Sequence, residues 1–391
     1  MEPGCLNRLK TSRKLLVWVV ALLMFFLGFE AGGFQLVLLD VAKDFGLNTS
    51  TMGMLASMQF FATIGMPLFF GRLSDRIGKK RVLAFSLPVF ILGCVLAGLA
   101  HSALLLVAGV AVLGAGFSVT ECIATAALSD GNAGDSGRAI SLVQSMFSLG
   151  AVAGPLFSDM LIRSLDASWR VVFMLAGGGF LLLYPLMLLA DMPIVNNGAS
   201  KSSSVFLLLK NKLLIALCAV MLLYVGFEVG LAFFVESLFV VEFSAPELGA
   251  FGISLFWLAM FVTRFLMSRI RTNRRHIVLG TLGLCALTVV ALAFSKNAYF
   301  ALVLYALLGA ASGPVWPIVA GSALDACPGD TGAAASIMIT AGNIGGAVGP
   351  ALMGIVSQVF GLRIGLMMLS LISVGAAAIL FIGLRDKKSF T

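Results

Sequence analysis

Long apolar runs alternate with short polar breaks along the whole chain. The runs cover approximately residues 15-39, 51-71, 82-100, 103-128, 138-162, 169-190, 211-239, 247-268, 276-294, 298-325, 333-359 and 362-384. Each is close to the ~20 residues that a helix needs to cross the hydrocarbon core of a bilayer. Inside a bilayer only structures that satisfy their own backbone hydrogen bonds are viable. The pattern therefore predicts an all-α membrane protein of twelve transmembrane helices, with no room for a soluble domain. Composition agrees, with 60% hydrophobic and only 11% charged residues, against about a quarter charged in soluble chains.

The formal charge of +8 raises the question of nucleic acid, and the positions of the basic residues answer it. If the N-terminus is cytoplasmic, every Lys and Arg except Lys43, Arg163, Arg170, Lys296 and Arg363 falls on cytoplasmic segments, with Arg264 to Arg275 counted as one of them. This distribution follows the positive-inside rule. It predicts both termini in the cytoplasm, an inner (plasma) membrane location and no nucleic-acid partner. Residues 1-14 are basic and run straight into a full span, which reads as a retained signal anchor. Cys5, Cys94, Cys122, Cys218, Cys285 and Cys327 are scattered without CxxC spacing or nearby His. Neither a disulfide framework nor a metal site is expected, and no cofactor.

The second half of the chain repeats the first. From Leu113, LGAGFSVTECIATAALSDGNAGDSGRAIS aligns without a gap to LGAASGPVWPIVAGSALDACPGDTGAAAS from Leu308. Gly134, Asp135 and Gly137 match Gly329, Asp330 and Gly332. Further on, Gly150, Gly154 and Pro155 match Gly345, Gly349 and Pro350. At the start of each half, Gly28-Phe29-Glu30-Ala31-Gly32 corresponds to Gly226-Phe227-Glu228-Val229-Gly230. The repeat predicts two six-helix bundles, 1-190 and 211-391, joined by a cytoplasmic linker, 191-210, that contains the Asn-, Gly- and Ser-rich stretch Pro193 to Ser204. Repeats in the same orientation are related by an axis along the membrane normal, with the substrate site between them near the midplane. Gly150, Gly154 and Pro155, with Gly345, Gly349 and Pro350, are expected to permit close helix packing and a bend.

Between helices two and three runs Gly71-Arg72-Leu73-Ser74-Asp75-Arg76-Ile77-Gly78-Lys79-Lys80-Arg81. It resembles the signature loop of the major facilitator superfamily. That resemblance implies the major facilitator fold, a rocking mechanism of alternating access, and a conformational latch formed by Gly71, Asp75, Arg76, Gly78 and Arg81. The second half keeps only a remnant, Thr263-Arg264 through Arg269 to Arg275, with no acid in the place of Asp75. Leu223-Tyr224-Val225-Gly226-Phe227-Glu228, Phe256-Trp257 followed by Thr263-Arg264, and Gln144-Ser145-Met146-Phe147-Ser148-Leu149-Gly150 resemble the fucose-proton symporter-like branch. In that branch acids on helices one and four are associated with proton coupling, and the matching residues here are Glu30 and Glu121.

An ionisable side chain at membrane depth costs at least about 2.5 kcal/mol and is a functional candidate on that ground alone. Glu30, Glu121 and Glu228 each lie deep within a span. No Lys or Arg is expected at comparable depth, so the three carboxyls read as unpaired, able to load and release a proton as water access alternates. Without a buried cation an anionic solute is disfavoured. The candidate substrate-binding groups are Gln35, Gln59, Gln144, Trp257, Trp316 and Asn343. Trp316 replaces Glu121 in the second half, and Pro314 and Pro317 beside it should kink the helix. Glu236 and Asp40 fall nearer the outer ends and read as solvated.

These readings describe a monomeric, proton-coupled secondary active transporter of a small neutral, sugar-like solute, with protons and the lipid bilayer as its other partners. Two alternatives stay open: a proton-driven antiporter exporting drugs or organic cations, and a non-transporting membrane sensor. An enzyme is not expected, because His101 and His276 both sit near helix ends and no nucleophile, base and orienting group can be assembled.

Overall fold

The computed structural model describes residues 3–130, 136–190, 208–267, 274–327 and 331–383. The described residues form helices and short turns, with twelve stretches long and apolar enough to cross a membrane. These are α1 (Val17–Asp44), α2 (Thr49–Gly71), α3 (Lys79–Gly98), α4 (Ala103–Ala127), α5 (Ile140–Leu165) and α6 (Val171–Leu189), then α7 (Lys212–Ala232), α8 (Pro246–Met267), α9 (Arg275–Phe294), α10 (Ala298–Asp325), α11 (Ala333–Phe360) and α12 (Leu362–Ile382). They coincide with the twelve apolar runs to within a few residues. One exception is α7, which ends seven residues earlier than expected, at Ala232, and continues as short helical turns through Glu242. Most of the expected linker, 191–207, lies outside the described residues, as do Gly134, Asp135, Gly329 and Asp330 of the repeat.

Small residues decide which helices meet. In lipid, association rests on close van der Waals packing rather than on hydrophobic exclusion. α1 crosses α5 so closely that a Cβ on Gly28 or Gly32 would strike the carbonyls of Phe147 and Ala151. A Cβ on Gly150 or Gly154 would strike those of Phe25 and Phe29. α7 meets α11 in the same way, with Gly345 against the carbonyl of Leu222 and Gly349 against that of Gly226. The sequence repeat is thus a repeat of helix crossings. Pro155 and Pro350 lie inside α5 and α11, on the turn after each crossing.

The halves touch along two seams, α2 against α11 and α5 against α8. At the end of the bundle that carries the Gly71–Arg81 loop, Gly71 abuts the side chain of Ser336. At the opposite end the Gln358 side chain accepts from the Thr49 amide at 3.1 Å, and Arg163 donates to the Pro246 carbonyl at 3.0 Å. Contacts therefore cross the α2–α11 seam at both ends and the α5–α8 seam at the end opposite the loop. Two breaks interrupt the long helices. α2 breaks before Gly65, whose φ of 95° is in the left-handed region. α10 breaks at Gly313-Pro314 and restarts at Val315, where the proline pair predicts a kink.

A second repeated device ties helix ends together at the end opposite the loop. Arg170, entering α6, donates to the Ala100 carbonyl after α3 at 2.8 and 3.1 Å and pairs with Asp44 at the end of α1 at 3.4 Å. Arg363, entering α12, donates to the carbonyls of Ala293 in the last turn of α9 and Ser295 just after it, at 2.9 and 2.8 Å, and pairs with Glu242 beyond α7 at 2.8 Å.

Glu236 corrects an expectation. It lies beyond the spans, between Ala232 and Pro246, yet only 8% of it is exposed. The early end of α7 folds its turn inward, against Gly249, and leaves Oε2 without a hydrogen-bond partner. Asp40, paired with Lys43 at 3.3 Å, is half exposed as expected. Burial pushes the Glu236 carboxyl up from 4.5 to about 8, with Arg163 and Lys43 pulling it down and Asp40 and Asp159 reinforcing the rise.

Two predictions follow from this packing. Gly150→Val and Gly345→Val should each lower stability by about 1–3 kcal/mol in thermal unfolding of the purified protein. Gly280→Val, at a site with nothing within 4 Å of its Cβ position, should change it little; equal effects at all three sites would refute the close-crossing account. For Glu236, the folded chain binds the proton more tightly than the unfolded chain. Stability is therefore highest below the ordinary value of 4.5 and is lost as pH rises toward about 8. The melting temperature of wild type should fall relative to Glu236→Gln across that window, and parallel curves would contradict it.

Candidate functional site

Between the halves lies a cavity of about 90 Å³. Its walls come from α1 (Ala31, Gln35), α2 (Gln59, Phe60), α4 (Phe117, Glu121), α5 (Gln144, Phe147), α7 (Val225, Glu228), α8 (Trp257, Arg264), α10 (Trp316) and α11 (Ile339, Asn343). Of the nine residues expected to handle protons or substrate, eight line it. The ninth, Glu30, is fully buried behind the wall, where Gln59 Nε2 donates to its Oε2 at 2.9 Å and its Oε1 has no partner.

The polar groups form connected sets because helical spacing stacks them. On α5, Gln144 and Ser148 are four residues apart and share a face. On α8, Trp257 and Arg264 are two turns apart and point the same way. Gln144 Nε2 donates to Glu121 Oε1 at 3.0 Å. Arg264 Nη1 donates to Ser148 Oγ at 2.8 Å and, at 3.4 and 3.5 Å, to the backbone and side-chain oxygens of Gln144. Arg264 Nη2 pairs with Glu228 Oε1 at 3.2 Å. The series Glu121–Gln144–Arg264–Glu228 thus runs from the first half to the second. Trp257 Nε1 donates to Gln35 Oε1 at 2.9 Å, and Asn343 Nδ2 donates to Ser118 Oγ at 2.9 Å, so two further bonds join the halves.

Arg264 overturns the expectation of a cation-free interior. Only 2% of its side chain is exposed, it lines the cavity, and its Nε has no hydrogen-bond partner. The sequence reading counted it with the basic loop because it lies one turn from the end of α8. An arginine at a helix end ordinarily reaches out to the interface; here the face it shares with Trp257 turns it inward. With Arg264 present, Glu228 is not unpaired, and the argument against anionic solutes loses its premise. The aromatic lining of Phe60, Phe117, Phe147 and Phe233 was also not anticipated, and with 31 phenylalanines in the chain composition does not single these out. Phe147 meets Phe117 and Trp257 edge-on at 6.0 and 5.6 Å.

The loop expected to act as a latch does not line this cavity. Gly78 ends one helix and opens the next with φ 94°, a conformation that glycine adopts freely. Lys79 Nζ reaches the Ala126 carbonyl at 3.2 Å, while Arg76 and Arg81 are exposed. The side chain of Asp75 lies outside the described residues.

Residues 20–271 and again 239–390 match the Major Facilitator Superfamily; the chain belongs to it, among transporters rather than enzymes. Its backbone superposes on the E. coli fucose:proton symporter FucP with a TM-score of 0.72 at 19% identity, covering 94% of this chain and 97% of the other, and equally on FucP solved in the outward conformation. It superposes on a human organic anion transporter with a TM-score of 0.72 at 16% identity, covering 93% and 98%. These likenesses establish the fold. Similar sequences include the niacin transporter NiaP of Acinetobacter baylyi, 26% identical over 47% of this chain and 42% of its own length. A probable 4-methylmuconolactone transporter of Cupriavidus pinatubonensis is 30% identical over 37% and 35%, and a probable sugar efflux transporter of Helicobacter pylori is 25% identical over 62% and 62%. The chain aligns with less than two thirds of the length of each of these relatives.

The buried pair makes a directional prediction. Glu228→Gln strands a guanidinium that cannot lose its charge and should cost about 3–5 kcal/mol. Arg264→Gln leaves a carboxyl that can take up a proton and should cost less. The double substitution should recover most of the loss, read as melting temperatures of the four proteins; simple additivity would refute direct coupling.

Proposed function

We propose that this chain is a proton-coupled secondary transporter in which the halves, 1-190 and 211-391 about the 191-210 linker, rock around the central cavity. The observation that carries this reading is the Glu121–Gln144–Arg264–Glu228 series, in which titratable groups from both halves share one network at membrane depth. Changing the protonation of either carboxyl changes what holds the halves together, which is the coupling that alternating access needs. Glu30, buried beside Gln59, is the third proton-handling group. A proton moving inward supplies about 1.4 kcal/mol per pH unit and about 2.3 kcal/mol per 100 mV, enough for a solute gradient of several orders of magnitude.

In this reading Gly71, Asp75, Arg76, Gly78 and Arg81 latch the loop end, which faces the cytoplasm together with both termini in the inner membrane. The contact of Gly71 with Ser336 supports a latch across the α2–α11 seam. A neutral, sugar-like solute is supported by the amide groups of the cavity and by the relatives named for sugar efflux, which also favour export. The niacin transporter and Arg264 favour an acidic solute.

Reconstituted in liposomes, Glu30→Gln and Glu121→Gln should each abolish uphill transport driven by a pH gradient while leaving binding or solute exchange largely intact. An unchanged pH dependence in both variants would sink the assignment. Quenching of cationic dyes in everted vesicles separates cation export from the favoured reading.

A further inference from the structure

The chemistry of the solute can be read from which groups around the cavity are already engaged, given that the cavity is the transport site. Each of the four amide side chains already has one end bonded within the protein: Gln35 Oε1 accepts from Trp257, Gln59 Nε2 donates to Glu30, Gln144 Nε2 to Glu121 and Asn343 Nδ2 to Ser118. A solute that binds through neutral hydrogen bonds has only the remaining ends of Gln35, Gln59 and Asn343 to use. Arg264 is different. Its Nη1 is filled by Ser148, its Nη2 holds a single oxygen of Glu228 at 3.2 Å, and its Nε holds nothing. Nε and Nη2 form one edge of the guanidinium, the edge on which a carboxylate makes two parallel hydrogen bonds. An unpartnered N–H on a buried, permanently charged group is costly to keep, and here it belongs to a side chain that lines the cavity.

The rest of the lining sets the shape of what fits. Phe60, Phe117, Phe147, Phe233, Trp257 and Trp316 surround the polar patch, so the body of the solute meets ring faces and edges. At about 90 Å³ the cavity is below the ~150 Å³ that accommodates benzene in an engineered core. It suits a compact body of about one ring after modest side-chain shifts.

Charge fixes the order of events. The groups facing Glu228 are Arg264 from α8, Glu121 from α4, Cys285 from α9 and Tyr224 one turn back on α7. One guanidinium is the only cation in that set. An incoming carboxylate that met ionised Glu228 and Glu121 would bury three negative charges against one positive, which the low dielectric opposes. We infer that the cavity takes a small planar monocarboxylate of the benzoate or nicotinate type, which displaces Glu228 from the Nε–Nη2 edge of Arg264 when Glu228 takes up a proton. The proton comes from bulk water and ends on a Glu228 oxygen; the solute enters as the anion. Proton and substrate are then coupled because two carboxylates compete for one guanidinium, and the pair that moves is electrically neutral.

The test is ligand-induced thermal stabilisation of the purified protein by benzoate and nicotinate, with benzamide as neutral isostere and benzylammonium as cation, from pH 5.5 to 8. Wild type should be stabilised by the two carboxylates only, with apparent affinity rising at least tenfold as pH falls across that range. Glu228→Gln should bind benzoate at pH 8 at least tenfold more tightly than wild type and lose most of the pH dependence. The double variant Arg264→Gln/Glu228→Gln, which leaves no stranded charge, should lose carboxylate binding. Stabilisation by benzamide or benzylammonium equal to that by benzoate would overturn the inference. So would carboxylate binding retained in the double variant, or absence of stabilisation by either carboxylate. Because binding is measured without flux, carboxylate binding with no proton movement in liposomes would refute the coupling mechanism alone. Proton-driven transport of another solute would refute the substrate class alone.

Discussion

A guanidinium held out of water constrains this molecule more than any other group in it. A buried arginine cannot shed its charge, so the surrounding helices must supply anions and dipoles in fixed positions. Glu228 on α7 supplies the charge, and Ser148 and Gln144 on α5 supply oxygens. Those helices belong to opposite halves. The cost of isolating the guanidinium is thus shared across the interface between the halves, and the stability of this arrangement depends on how that one group is satisfied.

Much of the architecture was legible because a bilayer leaves a chain few options. Twelve apolar runs had to become helices, and glycines recurring at matched positions had to be where helices touch. Gly150 and Gly345, aligned in sequence, lie against the carbonyls of Phe25 and Leu222 on equivalent helices. Gln35, Gln144, Trp257, Trp316 and Asn343 could be selected as cavity groups because polar and indole side chains are rare in these spans and do not face lipid well.

What was not legible depended on direction rather than on composition. Arg264 lies near the end of α8, where position along the helix suggests an exit to the interface; only its azimuth, shared with Trp257, takes it inward. Glu236 was misjudged because α7 stops at Ala232, and the turn that follows folds back onto Gly249. Glu30 was correctly read as deep, yet it stands behind Gln59 rather than in the cavity wall. Depth can be counted in residues, whereas facing depends on neighbours that a linear pattern does not contain.

The paired arginines Arg170 and Arg363 bear on how such a molecule can move. Each gathers the ends of the first, third and sixth helices of its own half, or the turn that follows, and neither reaches across to the other. Each half therefore carries its own clasp at the same end, and three of its helices are bound to tilt as one lever. The Arg163 bond to the Pro246 carbonyl does cross the boundary at that end. A tilt that parts the two halves there would break this bond and the one from the Thr49 amide to Gln358 and leave both clasps closed, so the work of opening is concentrated at the seams rather than spread through the bundles.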